Sequence, residues 1–67
     1  MMIFVFGSNL AGRHGKGAAL LARKKYGAEY GVGSGPTGYA YALPTKDYQI
    51  KTRKLEDIYE SIVEFVA

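Results

Sequence analysis

The sequence predicts a small α/β unit, in the order strand, helix, strand, helix, with its two strands parallel. Three observations predict it. Two short apolar runs, residues 2–6 and 39–43, are rich in β-branched or aromatic residues. Two longer segments, residues 18–26 and 55–66, carry helical composition or helical apolar spacing. Finally, strands joined through a helix normally lie parallel, with a right-handed crossover.

Residues 2–6 (MIFVF) are apolar without alternation, which suits a strand covered on both faces and stopped by Gly7. Residues 7–17 form a loop holding four glycines, an arginine, a lysine and the chain's only histidine. Residues 18–26 (AALLARKKY) are good helix formers. Arg23, Lys24 and Lys25 fall in the last turn, and Gly27 stands at the C-terminal cap. Residues 27–38, with five glycines and a proline, read as a loop. In the second strand, Tyr39 and Tyr41 share one face, Ala40 and Ala42 the other, and Pro44 ends it. Polar residues 45–54 lead to the last helix. There Leu55, Ile58, Tyr59, Ile62 and Val66 form the core stripe, with Glu56, Asp57, Glu60, Ser61 and Glu64 outside.

The totals bound the function. A chain of 67 residues is at most one domain, spanning 1–67, and is marginally stable by itself. Without cysteine and with one histidine it has no disulfide and no metal cluster, and no cofactor is expected. Homo-oligomerisation, pairing edge strands or burying the outer face of the last helix, is therefore expected, or else a partner chain completing the sheet. The net charge of +3 suits an anionic partner such as a phosphate ligand. The apolar start is too short for a signal sequence or a spanning helix, so a cytoplasmic, membrane-free protein is expected.

Parallel strands bring both C-terminal ends to one sheet edge, the edge where open α/β sheets bind ligands. The glycine loop and residues 45–47 should therefore share one site. Glycines permit close backbone approach, and the N-terminus of the following helix offers unpaired N–H groups and positive dipole, so the loop reads as a phosphate cradle. Its candidate ligand-binding residues are Gly7, Ser8, Asn9, Arg13, Gly15, Lys16, Gly17 and Ala18. Gly7 and Gly12 have P-loop spacing, but Arg13 and His14 stand where Lys and Ser/Thr belong, which argues against a nucleoside triphosphatase. Residues 33–38 match GxGxxG literally yet precede a strand, so they are not a dinucleotide fingerprint.

Residues 7–9 (GSN), 15–27 (GKGAALLARKKYG) and 41–46 (YALPTK) resemble the ADP-ribose-binding region of macrodomains. The nearer likeness is to the subgroup containing the terminal ADP-ribose protein glycohydrolase. The resemblance spans residues 3–66 and only the front part of that family's three-layer α/β/α domain. It implies binding of ADP-ribose or a related nucleotide metabolite, with Asn9 on the distal ribose and the backbone at Gly15 and Gly17 around the diphosphate. It also implies that Lys46 matches the subgroup's nucleophilic lysine, giving an ADP-ribosyl glycohydrolase once a partner supplies the missing acid.

Other residues have simpler expectations. His14 is expected to be solvated, and Asp47 is either a base or a cap. Phe6, Tyr39 and Tyr41 are expected in the core, whereas Tyr30 and Tyr48 lie in loops. A nucleic-acid-binding module is the remaining alternative, with Arg23, Lys24, Lys25 and the tyrosines as its candidates, although no RNA-recognition signature is present.

Overall fold

A computed structural model describes residues 3–67. The elements run β1 (Phe4–Asn9), α1 (Gly17–Lys25), β2 (Gly35–Thr37), β3 (Ala40–Lys46) and α2 (Leu55–Val66). Residue 2, expected in the first strand, lies outside the described residues. The sheet order is β1-β3-β2, with β1 parallel to β3 as expected and β2 antiparallel to it. The sheet is thus mixed, where only parallel strands were expected.

Two strand ends differ from expectation because the ladder is made by backbone groups. β1 continues past Gly7, which pairs with Leu43, to Asn9 beside Lys46. β3 continues past Pro44. The neighbouring β2 already ends at Gly35, opposite Ala42, so no strand faces Pro44 on that side and its missing N–H is tolerated. β2 itself lies in the stretch read as loop. Its three residues, one glycine and one proline, carry no strand pattern. The only sign is the two-residue connection Gly38-Tyr39, with Gly38 at φ 59°, as a tight hairpin needs.

Register places Phe4, Phe6, Ala40 and Ala42 on one sheet face and Val5 and Tyr41 on the other. α1 covers the first face. The core there is Phe6, Ala19, Ala22, Ala28, Ala40 and Ala42, flanked by Phe4 stacked on Tyr26 at 4.5 Å between ring centroids. Alanines on both surfaces bring helix and sheet close together, but they bury little apolar area. α2 covers the second face, where Phe65 meets Tyr41 edge-on at 4.6 Å. The order is helix, sheet, helix.

α2 spans its expected residues but is rotated from the expected orientation. Ser61, expected outside, is buried, while Leu55, Tyr59, Ile62 and Val66 are exposed. Arg53 holds this orientation, its Nη1 donating to Pro44 O (2.7 Å) and Ser61 Oγ (3.0 Å). Its Nη2 reaches Asp57 O at 3.3 Å. A hydrogen-bonded guanidinium thus lies between α2 and β3, and the helix turns its serine toward it. No described helix is long and apolar enough to cross a membrane.

Candidate functional site

A cleft of about 370 Å³ opens at the C-terminal ends of β1 and β3. Gly7, Ser8, Asn9, Arg13, Gly15 and Lys16 line it from the glycine loop, and Thr45 and Lys46 from the end of β3. The two stretches expected to share a site do so. Ala19 and Ile50 complete the wall, and sequence reasoning missed both. Gly17 and Ala18 do not line the cleft; they form the first turn of α1 directly behind it.

The charged lining is Arg13, Lys16 and Lys46, with no carboxylate. Lys16, the residue before α1, is extended and offers no side-chain cap, and the first turn holds no acidic residue. The opening N–H groups of α1 are therefore left for something else to satisfy. No side chain or backbone lies within 4 Å of the space in front of the Gly15 α-carbon, so a ligand can approach the backbone there.

The loop is shaped from within. Asn9 Nδ2 donates to Arg13 O, and Arg13 N donates to Asn9 Oδ1, both at 2.9 Å. Asn9 therefore closes residues 9–13 into a turn. One amide hydrogen and one oxygen lone pair remain for a ligand. Ser8, an expected ligand residue, is buried, and its hydroxyl donates to Gly33 O. That bond ties residues 27–34 to β1, so the Ser8 hydroxyl anchors a loop while the residue lines the cleft. Gly12, at φ 72°, sits where a β-carbon would overlap the Gly31 backbone. Only glycine allows the two loops to cross, with Gly31 N donating to Gly12 O at 2.8 Å.

His14 is fully buried, contrary to the solvated residue expected. Its ring meets Phe6 edge-on at 5.3 Å and Tyr30 at 5.9 Å. Nε2 lies 3.1 Å from Val32 O, so that nitrogen carries a proton, and buried Nδ1 has no partner among the described residues. A ring packed against both β1 and the distant loop gains aromatic contact with each, which a lone loop histidine gives no sequence signal for. Its chain neighbours Arg13 and Gly15 line the cleft.

At the other wall, Lys46 is half-buried and its Nζ donates to Thr52 Oγ1 at 2.7 Å. Asp47 Oδ1 accepts from the N–H groups of Gln49 (2.8 Å) and Lys51 (3.0 Å). Its role is thus the capping one of the two open at the sequence level. The Lys51 bond, with help from that of Gln49 and the Lys51 charge, holds the Asp47 carboxyl below its ordinary 3.8. This turn places Ile50 at φ 61°, the left-handed region that β-branched residues avoid, and sets its side chain on the cleft wall.

The aromatic residues divide. Phe6 is in the core and Tyr41 half-buried, while Tyr39, expected in the core, is exposed in the β2–β3 turn. Tyr30 and Tyr48 are exposed. Arg23, Lys24 and Lys25 stand at the C-terminal end of α1, away from the cleft, with Arg23 lying 5.6 Å from the Tyr30 ring centre. No family model matches the chain, and neither curated proteins nor solved structures give a significant match.

Proposed function

We propose that the cleft binds the phosphate and ribose groups of ADP-ribose or a related nucleotide metabolite. The observation that carries this reading is a cleft lined by three cations and no carboxylate, in front of a helix N-terminus whose N-cap residue, Lys16, makes no side-chain capping bond. Arg13 and Lys16 supply charge-assisted hydrogen bonds, Gly15 the close backbone approach, and the free half of the Asn9 amide a ribose contact. The strained Ile50 supports the reading, because backbone strain of this kind concentrates at ligand-binding walls. ADP-ribose is named within the class because residues 7–9, 15–27 and 41–46 resemble macrodomains.

Titration calorimetry with ADP-ribose, AMP and inorganic phosphate tests it. ADP-ribose is expected to saturate one site per chain. Arg13→Ala and Lys16→Ala are each expected to weaken binding about tenfold or more, the worth of a charge-assisted hydrogen bond. Folded protein that takes up no ADP-ribose at millimolar concentration would refute the reading.

A hydrolase reading rests on the half-buried place of Lys46 in the cleft. It requires an acid from elsewhere, because the Asp47 carboxylate is occupied by its own turn. Loss of ADP-ribosyl-peptide turnover in Lys46→Ala, with ADP-ribose binding retained, would establish it. Absence of turnover in the unaltered protein leaves Lys46 as a phosphate clamp.

A further inference from the structure

We infer that β1 is the self-pairing edge of a two-fold dimer, in which two copies join antiparallel at Val5 to make one six-stranded sheet. The order β1-β3-β2 leaves two sheet edges, and they are built differently. β2 is three residues long and carries Pro36, two of the devices by which proteins keep an edge from pairing. β1 is six residues long, FVFGSN, without a charge or a proline. Nothing in its sequence guards it.

The open part of that edge has a centre. Phe4 N–H donates inward to Tyr39 O at 3.1 Å, so the backbone groups of its alternate neighbours, Val5 and Gly7, project outward. Beyond Gly7 the edge is closed by the chain's own turn, where Asn9 O accepts from Gly12 N at 2.9 Å. Outward-facing groups thus run from Ile3 to Gly7, symmetric about Val5. A strand opposed to its own copy with Val5 facing Val5 satisfies them in both chains at once, as a two-fold contact requires.

The side chains agree. Val5 and Ile3 are exposed on the sheet face that α2 partly covers. On α2, exposed Leu55, Tyr59, Ile62 and Val66 lie to one flank of the line through Ser61, and Glu56, Glu60 and Glu64 to the other. All six are exposed, Leu55 at 85% and Val66 at 72%, more than the singly scattered apolar residues of an ordinary monomer surface. The two-fold keeps both α2 helices on one side of the joined sheet. A second copy is favoured over an unrelated strand because the edge is symmetric about its own Val5.

Sedimentation equilibrium on the full chain, up to about 200 µM, tests the pairing. The expected mass is twice the 7.3 kDa of one chain. Val5→Lys, which guards the edge without touching the bonds to β3, is expected to give the single-chain mass with an unchanged circular dichroism spectrum. Hydrogen exchange on the unaltered protein is independent of that variant's folding. The Val5 and Gly7 amides should exchange slowly when concentrated and at least tenfold faster on dilution. A folded single chain at every concentration overturns the proposal and assigns the face to a different polypeptide. A dimer that survives Val5→Lys, or edge amides indifferent to dilution, also overturns it.

Discussion

Ile50 is the residue least suited to its backbone. A left-handed conformation costs an L-residue about 1–2 kcal/mol, and Asp47 sustains it by gathering the N–H groups on either side of it. Ile50→Gly is therefore expected to raise stability by about 1 kcal/mol in urea unfolding, since glycine adopts this conformation without strain. ADP-ribose affinity should fall as the cleft wall is lost. Because the Asp47 carboxyl lies below 3.8 in the folded protein, the turn is fully held at neutral pH. Its contribution is lost only as pH falls through that lowered value. Asp47 and its two amide partners were ambiguous in sequence, since a carboxylate beside a lysine reads equally as a base or a cap. His14 was misread for a related reason. Its partners Phe6, Tyr30 and Val32 come from β1 and from a distant loop, and no local pattern announces them.

At the scale of elements, the helices and the parallel strand pair were legible because they rest on local signals. Glycine at the end of α1, the apolar spacing of α2 and the connection through a helix each have a cause within a few residues. The orientation of α2 was not legible, because Arg53 reads as one more solvated cation in a polar segment. Its guanidinium serves two backbone carbonyls and a buried hydroxyl. Arg53→Met keeps the side-chain length but leaves those acceptors unpaired. It is expected to cost about 2–3 kcal/mol of stability, read by urea unfolding. Crosslinking Ser61 to the end of β3 would test whether that loss comes from α2 detaching. β2 escaped notice because three residues containing glycine and proline have neither alternation nor propensity. Pairing with β3 alone makes them a strand.

For the molecule as a whole, the radius of gyration is 10.9 Å, close to the ~11 Å of a compact chain this long. Its accessible surface of 4675 Å² nevertheless exceeds the ~4200 Å² typical of a monomer of this mass. A core of one phenylalanine and five alanines supplies little burial, and the surplus surface includes the apolar flank of α2. If dimerisation covers that flank, the melting temperature should rise with protein concentration, because mass action favours the associated folded state. A melting temperature constant from about 5 to 200 µM would show folding to be independent of association.

The sequence by itself determined that a glycine-rich basic loop follows a strand, that a helix starts behind it, and that Lys46 lies beyond the end of a parallel strand at the same edge. These follow from glycine conformational freedom, helix composition and crossover geometry, which act over short stretches. Only the tertiary structure decided what the residues around the cleft are bonded to. Ser8 was drawn into an anchor on Gly33, Asn9 into a turn with Arg13, and Ile50 onto a wall that no motif marks. The reason is that a hydrogen-bonding side chain goes to whichever buried backbone group most needs it, and that need is created only when distant loops are packed together.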